Sequence, residues 1–403
     1  MNRRTRTLTA CFHLLLLCGP LPWLEASDRP RLIVLTDRAG EPLDRLLLFA
    51  DGFELEGLIA TTSIKAPSLK SHPGFATAIE RYVRAYPNLQ IHAPGYPTPE
   101  RLRKLTGRGS NGYGMAAVGA GRSSAGSKRI VAALRRRDPR PLHVAVWGGA
   151  NTLAQALWDL KQNLSDEETA RLVKRLRVHE AGGLDDAGAW ACRTFANLRW
   201  FRARDNEAER TWLHLVPVGL GASENRWWGG WAGRYGRKPS ANPSTAAPDR
   251  IDQKPYRPFA MWTEVQAKWT WKPAVQTEWA ARKKWAAADR YDRANHPPKV
   301  IVRTRNGPLP DPIVTAAGHQ IDLDASGSSD PDGDTLSYRW FYLKGAGTFT
   351  EDLPLQNDRT DHMRFATPGL EEPAEAHIIL KVSDDGTPPM VRYRRIRVRI
   401  IPD

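Results

Sequence analysis

Three carboxylates follow the first strongly apolar run of the chain within eight residues. Asp37, Glu41 and Asp44 come directly after the run Leu32–Leu35. Clustered carboxylate oxygens suit a hard cation such as calcium, which takes about 6–8 oxygen ligands. The same spacing also fits a turn with solvated acids and a helix N-cap, so the pattern leaves a metal site and a turn open.

Two further predicted strand ends carry polar residues. The run Leu142–Val146 leads into Trp147-Gly148-Gly149-Ala150-Asn151, and another strand end leads into Asp185-Asp186. The glycines allow a backbone to approach a ligand closely, and Asn151 is suited to cap a helix or to present its amide to a ligand. The two aspartates either begin a helix without further function or extend the acids of the first strand end into a polyacidic pocket.

The elements that must position these residues alternate along the chain. Short β-branched runs and helical stretches follow one another from Arg31 to about Ala294, which predicts an α/β domain with a mostly parallel sheet and flanking helices. Predicted strands include 32–35, 57–61 and 142–146, and predicted helices cover 73–86, 152–162 and 277–294. Residues 232–258 are rich in Pro, Gly, Ala and Ser and are predicted to form an irregular loop. Ligands of such sheets bind at the carboxyl ends of the strands, where the polar residues lie.

The character of the chain changes after residue 298. Short alternating runs separated by turn residues predict an immunoglobulin-like β-sandwich with Trp340 as a core anchor. Within it, Asp330, Asp332 and Asp334 either hold calcium or form a turn that stabilises the sandwich. The predicted organisation is a leader over 1–26, an α/β domain over 27–297 and the sandwich over 298–403.

The N-terminus has the pattern of a cleavable signal peptide. Arg3, Arg4 and Arg6 precede a short apolar stretch and Ala26 is the predicted cleavage point, so we expect a secreted or periplasmic protein. No segment approaches the roughly 20 apolar residues of a spanning helix. Losing the leader lowers the net charge from +15 to +13, and the remaining positive charge favours anionic partners. The basic residues are scattered along the chain, so no specific nucleic-acid partner is expected. Cys192, the one cysteine beyond the leader, is predicted to be a buried apolar residue.

Tryptophan is unusually common. The chain has 15, and 11 of them lie between Trp190 and Trp285. Exposed indole rings would stack on the sugar rings of a polysaccharide, whereas buried ones would anchor loops and domain contacts. Trp227, Trp228 and Trp231 are the best candidates for sugar binding because they lie on a predicted loop.

Several short motifs, most of them near the strand ends, carry a family resemblance. They are LTD at 35–37 with GEP at 40–42, EGLIATTS at 56–63, HAPGYP at 92–97, GYGM at 112–115, the segment 147–157, LDDAG at 184–188, WGGW at 228–231 and residues 294–298. In combination they resemble the secreted nucleoside-hydrolase-like family, often labelled cellulose-binding proteins, which carries a C-terminal PKD or immunoglobulin-like domain. The resemblance covers nearly the whole chain after the leader.

This resemblance implies a nucleoside-hydrolase-like fold and calcium-assisted cleavage of an N-ribosyl or related glycosidic bond. Carried over, Asp37 is a metal ligand and the catalytic base, and Asp44 is a second metal ligand and catalytic carboxylate. Glu41 and the backbone carbonyl of Ala150 complete the implied calcium site, where the cation would acidify water and a carboxylate would take its proton. The residues implied to contact the nucleoside or glycoside are Trp147, Asn151, Asp185 and Asp186.

The chain also departs from the family pattern. Leu43-Asp44 stands where members usually carry two aspartates, the helix that follows is shorter by more than a turn, one aspartate is lost within 208–213, and another is replaced by Glu278. Losing acids weakens metal binding and the positioning of a base. Two functions therefore stay open: an exported calcium-dependent glycosidase, and a non-catalytic carbohydrate-binding protein that uses its tryptophan-rich loop and sandwich. The sequence leaves the oligomeric state open.

Overall fold

The computed structural model describes residues 29–69, 74–181, 185–195, 197–203, 211–212, 215, 235–240, 259–264, 272–344 and 346–402. The tryptophan-rich segment with Trp227, Trp228 and Trp231 lies outside the described residues, as does most of 208–213. No helix of the described part combines the length and the apolar character needed to cross a membrane.

An eight-stranded sheet forms the centre of the N-terminal part. Its strands are β1 (Arg31–Thr36), β2 (Glu54–Ala60), β3 (Thr106–Arg108), β4 (Leu142–Val146), β5 (Leu176–Ala181), β6 (Arg199–Ala203), β7 (Tyr235–Ser240) and β8 (Phe259–Glu264). They lie in the order β3-β2-β1-β4-β5-β6-β8-β7, with parallel neighbours throughout except for β7, which is antiparallel to β8. All six residues of β1 are buried, as expected for a central parallel strand covered on both faces. The predicted mostly parallel sheet is confirmed.

Helices cover both faces of this sheet. They are α1 (Glu41–Leu48), α2 (Phe75–His92), α3 (Pro99–Leu105), α4 (Ala125–Arg135), α5 (Asn151–Asn163), α6 (Asp166–Val173), α7 (Ala187–Thr194) and α8 (Lys272–Ala287). Leu32 and Val34 of β1 pack with α1, α2, α3 and α8, whereas Ile33 and Leu35 pack with α4 to α7. The alternation along β1 thus divides the core into two layers. Cys192 is buried in the second layer, as predicted.

Three element boundaries differ from the predictions. Helix α2 continues through Pro87 to His92, because Leu89 and His92 are buried and their packing offsets the hydrogen bond that proline removes. Helix α8 begins at Lys272 and ends at Ala287, so it is displaced toward the N-terminus relative to 277–294. The prediction of an irregular loop over 232–258 is wrong at Tyr235–Ser240, where pairing with β8 supplies the backbone partners.

The C-terminal part is the predicted β-sandwich. Its strands are β9 (Arg303–Thr304), β10 (Gly307–Pro308), β11 (Ile313–Ala316), β12 (Gln320–Asp324), β13 (Ser337–Tyr342), β14 (His362–Ala366), β15 (Ala374–Ser383) and β16 (Val391–Ile401). They form two four-stranded sheets, β10-β9-β12-β14 and β11-β16-β15-β13, over a shared apolar core. Trp340 is 1% exposed in this core and its Nε1 donates to the Thr360 carbonyl at 2.8 Å, which confirms its anchoring role.

The sandwich packs directly against the α/β part. Trp285 of α8 shares the first core layer with Met390 and Tyr393 of the sandwich. The indole Nε1 of Trp285 donates to the carbonyl of Asn295 at 2.8 Å, which fixes the segment that connects the two parts. Helix α8 therefore packs against both the α/β part and the sandwich.

Candidate functional site

The carboxyl ends of β1, β2 and β4 meet at the turn Trp147-Gly148-Gly149. The Trp147 amide donates to the Leu35 carbonyl at 2.8 Å, and the Gly149 amide donates to the Thr62 carbonyl at 2.6 Å. A Cβ atom on Gly148 would lie 2.9 Å from the backbone nitrogen of Asp37, and one on Gly149 would clash with the Thr62 carbonyl and the Asp185 carboxylate. The glycines therefore permit close approach of neighbouring strand ends, rather than the approach of a ligand that the sequence predicted.

Asn151 forms the floor of this region. Its Oδ1 accepts from the Thr61 hydroxyl at 2.7 Å, and its Nδ2 donates to the Thr62 hydroxyl at 2.8 Å and to the Gly112 carbonyl at 2.7 Å. The side chain is fully buried, and Ala150 rather than Asn151 occupies the N-cap of α5. The amide of Asn151 is thus committed to holding three chain segments together.

Asp185 is also held inside the protein. Its Oδ2 accepts from the Asn151 amide and its Oδ1 from the Ala187 amide, both at 3.1 Å, so it joins the N-termini of α5 and α7. Burial raises the pKa of Asp185 to about 7, with a further rise from the charges of Glu180 and Asp186, while the Ala150 amide opposes the change. Asp185 therefore orders the turn beneath the site instead of facing it.

Asp186 and Tyr113 are both half-buried at the strand ends. The Asp186 Oδ1 accepts from the Met115 amide at 2.8 Å, which ties the end of β5 to the segment that carries Tyr113. Burial, followed by the charges of Asp185 and Asp186, raises the pKa of Tyr113 to about 12. Tyr113 was not among the predicted site residues, although it lies within the GYGM motif between two glycines of positive φ.

Asp37 lies at the end of β1, half-buried, with one oriented partner. The Ser63 hydroxyl donates to its Oδ2 at 2.5 Å, and Ser63 itself follows β2. This hydrogen bond fixes the carboxylate beside the turn at Gly148. Ser63 carries no functional signal in the sequence, because its partner lies 26 residues away.

The other acids of the first strand end do not join Asp37. Arg81 of α2 forms a bidentate pair with Asp44, at 3.0 Å to Oδ1 and 2.8 Å to Oδ2, and Arg45 pairs with Glu41. Within the described residues, the three-acid group whose ligand atoms converge within 4.8 Å lies in the sandwich instead. The carbonyl of Ala150 accepts the first helical hydrogen bond of α5 from Ala154 at 2.8 Å. The predicted set of Asp37, Glu41, Asp44 and Ala150 is therefore not assembled, and these residues do not fit a calcium ion.

Glu278 has also acquired cationic partners. It is 1% exposed, and its carboxylate accepts from Arg282 at 2.9 Å and from Arg392 of β16 at 2.7 Å. Although burial raises the pKa of Glu278, these guanidinium groups outweigh burial and lower it to about 2. Glu278 therefore forms an ion-pair link between α8 of the α/β part and β16 of the sandwich.

The described tryptophans act as anchors. Trp147 is buried with Trp212 in the first core layer, and its Nε1 donates to the Thr211 hydroxyl at 2.7 Å, which places the ring away from a ligand surface. Trp200 and Trp285 are also almost completely buried. Trp279 is partly buried, with the Arg45 guanidinium 3.3 Å from its ring centroid.

Comparison with known proteins identifies the family. A profile described as "Cellulose-binding Sde182, nucleoside hydrolase-like domain" matches residues 31–212, and one described as "Cellulose-binding protein Sde0182, C-terminal domain" matches residues 320–400. A solved structure of a nucleoside hydrolase-related hypothetical protein from Saccharophagus degradans, associated with carbohydrate metabolism, covers 92% of this chain and 100% of its own at 31% identity, with a TM-score of 0.85. The chain belongs to the Sde182 family. The predicted family and α/β fold are confirmed.

Other matches are weaker. The PKD1 domain of Epp from Vibrio anguillarum covers 27% of the Sde182-family chain and 99% of its own, at 14% identity and a TM-score of 0.18. That similarity is too low to inform the fold. No functionally curated protein matches the chain.

Proposed function

We propose that this Sde182-family chain binds a saccharide at the carboxyl ends of β1, β2, β4 and β5. The observation that carries the proposal is the half-buried Tyr113 in a segment held at the strand ends: the carbonyl of Gly112 before it accepts from Asn151, and the amide of Met115 after it donates to Asp186. An aromatic face can pack against the C–H face of a sugar ring, while carboxylates accept hydrogen bonds from its hydroxyl groups. The cellulose-binding description of the family supports a β-linked polysaccharide as the partner.

The proposed binding needs no cation at the strand ends. Asp44 is neutralised by Arg81, and Glu278 by Arg282 and Arg392, so the acids that would surround calcium already have counter-charges. We further propose that residues 1–26 are removed on export, which would bring the pocket to polysaccharide outside the cytoplasm. Sequencing the N-terminus of the exported protein tests this cleavage.

Hydrolysis of an N-ribosyl or related glycosidic bond is a second candidate, favoured by the oriented carboxylate of Asp37. Its hydrogen bond from Ser63 holds Oδ2 at the strand end. There Asp37 would accept a proton from a water molecule as the water oxygen bonds to the anomeric carbon. The glycosidic bond would break with its electron pair on the leaving group, which would take a proton from solvent. The carboxylate would also stabilise the positive charge that develops on the sugar.

Replacing Tyr113 with alanine is expected to weaken saccharide binding about two- to twelvefold, because an aromatic contact contributes about 0.5–1.5 kcal/mol. Calorimetry with cellohexaose and sedimentation with microcrystalline cellulose measure the change. Tyr338→Ala is the matched control, since Tyr338 is also half-buried but lies on β13 of the sandwich. Equal affinities of the wild type and the Tyr113 variant, or no glycan binding by the wild type, would contradict the proposal.

Replacing Asp37 with asparagine is expected to slow any glycosidic hydrolysis about 100-fold, the contribution of a positioned base, with saccharide affinity changed less than about threefold. Release of reducing sugar or nucleobase from a panel of glycosides and nucleosides measures the rate. Asp44→Asn should retain activity, and so should wild type in EDTA, because Asp44 is paired with Arg81. An Asp37 variant as fast as the wild type would remove the hydrolytic role and leave binding alone.

A further inference from the structure

We propose that the sandwich binds a divalent cation of the calcium class at its contact with the connecting segment. The site, here called the junction site, consists of Asp330, Asp332, Asp334, Asp384 and Asn295. It is separate from the saccharide site proposed at the carboxyl ends of β1, β2, β4 and β5, here called the strand-end pocket, and does not depend on the function proposed there.

The first support is the convergence of three carboxylates. Asp330, Asp332 and Asp334 each offer an oxygen, and the three atoms lie within 4.8 Å of one another. Asp330 uses Oδ1 to accept from the amides of Asp332 at 2.8 Å and Asp334 at 3.2 Å. This turn occupies only one of the two Asp330 oxygens. A turn alone therefore leaves the second oxygen of Asp330 without a partner.

The second, independent support is a set of buried oxygens that receive no hydrogen bond. They belong to Asp330 (Oδ2), Asp384 (Oδ2) and Asn295 (Oδ1). Asp384 is only 4% exposed and Asn295 7%, so water does not readily satisfy them. A buried carboxylate oxygen without a donor is costly, and a bound cation is a standard way to satisfy it.

The orientation of Asn295 follows from its partners. Its Nδ2 donates to the Asp384 Oδ1 at 2.9 Å and to the Pro388 carbonyl at 2.8 Å, so the amide nitrogen is placed between two acceptors and Oδ1 points away from both. The Asp384 Oδ1 also accepts from the amides of Gly386 at 3.1 Å and Met390 at 2.9 Å. The donors around Asp384 are thus all on one oxygen, and the other is left for a cation.

The charges at the junction site favour a cation as well. Backbone hydrogen bonds bring these acids together: the Thr335 amide, next to Asp334, donates to Asp385, next to Asp384, at 2.8 Å, and the His296 amide, next to Asn295, donates to Asp332 at 2.6 Å. Within the described residues, no lysine or arginine forms an ion pair with Asp330, Asp334 or Asp384, and the neighbouring ion pair is that of His296 with Asp332 at 2.9 Å. A set of carboxylate and amide oxygens without nitrogen or sulfur ligands is the chemistry that calcium prefers.

A cation here would stabilise the contact between the two parts of the chain. Asp332 accepts from the backbone amide of His296 at 2.6 Å, and His296 in turn lies 3.0 Å from the His92 Nδ1 at the end of α2. Asp384 holds Asn295, the preceding residue of the same segment. Neutralising the carboxylates would therefore strengthen the hold of the sandwich on residues 295–296.

Calorimetric titration of the EDTA-treated full chain with calcium chloride tests the proposal. We expect one calcium ion per chain, an affinity at least about tenfold weaker in Asp330→Asn and Asp334→Asn, and a rise in wild-type Tm on adding calcium that Asp330→Asn lacks. Asp352→Asn is the matched control, since Asp352 is an exposed acid of the sandwich, and Asp37→Asn is the control for the strand-end pocket. Melting curves in EDTA that match the wild type show that the variants fold.

Each outcome decides the proposal. Calcium binding that both Asp352→Asn and Asp37→Asn retain, and that Asp330→Asn and Asp334→Asn weaken, supports the junction site. No calcium binding by the wild type, or binding unaffected by Asp330→Asn and Asp334→Asn, overturns it. Binding lost in Asp37→Asn instead would place the cation in the pocket and overturn it too.

Discussion

Replacing Glu278 with alanine is expected to lower the free energy of unfolding by about 3–5 kcal/mol, the cost of removing one partner from a buried ion pair. Glu278 is 1% exposed, and its loss would leave Arg282 and Arg392 without their shared counter-charge. Arg282 keeps Asp51, at 2.6 Å, but Arg392 loses its carboxylate partner. The contact between α8 and the sandwich should weaken with it.

Urea denaturation followed by tryptophan fluorescence measures the change in the Glu278 variant. Glu41→Ala is the matched control, because Glu41 also pairs with an arginine four residues away but its side chain is 69% exposed. Exposed pairs of this kind contribute about 0.3–0.5 kcal/mol. A Glu278 variant that loses no more stability than the Glu41 variant would show that the buried pair contributes little.

The same ion pair predicts the behaviour of the protein in acid. The pKa of Glu278 is lowered in the folded state to about 2, from a reference value of 4.5, so the unfolded state binds a proton first as the pH falls. The stabilisation is therefore complete above pH 4.5 and is lost as the pH falls toward 2. Wild-type Tm should fall across this window more steeply than the Tm of Glu278→Gln.

Replacing Asp185 with alanine is expected to destabilise the protein by about 2–4 kcal/mol, because buried backbone donors lose their acceptor. These donors are the amides of Asn151 and Ala187, at the starts of α5 and α7. Saccharide binding should also decrease, since Asp185 orders the turn that carries Asp186. Asp186→Ala, which frees only the Met115 amide, is the matched control and should cost about 1 kcal/mol.

Asp185 gives a pH dependence of opposite sign to that of Glu278. Its pKa is raised to about 7 from a reference value of 3.8, so the folded state keeps a proton that the unfolded state releases. Stability from this residue is therefore present below pH 3.8, declines as the pH rises toward 7 and is level above that. The difference in Tm between wild type and Asp185→Asn should change between pH 4 and 7, and a constant difference would show that Asp185 is ionised throughout.

The fold was largely predictable because its signals are local. The apolar run of β1, the strand Leu142–Val146 and the alternating last strand each mark a buried or half-buried strand by their own residues. Helix α2 shows the limit of local prediction. Pro87 predicts a helix end, but the packing of the buried Leu89 and His92 extends the helix past it. Strand β7 was also not predicted from local residues, since its partner β8 lies 19 or more residues further along the chain.

The site was predictable in position but not in composition. The polar residues after β1, β4 and β5 do lie at one edge of the sheet, as the rule for parallel sheets requires. Their roles differ from the predictions, because Asn151 and Asp185 hydrogen-bond to the backbone of neighbouring segments and Trp147 packs in the core. Tyr113 and Ser63 were missed because neither residue type, taken alone, marks a functional site.

The sequence by itself determined the order of strands and helices, the change to a sandwich, and the family, because burial patterns and motifs are properties of neighbouring residues. Only the tertiary structure decided which acids remain available for chemistry. Asp44 meets Arg81 from 37 positions away, and Glu278 meets Arg392 from 114 positions away. A carboxylate is a ligand, a base or half of an ion pair according to the charge that the fold places within about 4 Å of it, and that distance is not written in the local sequence.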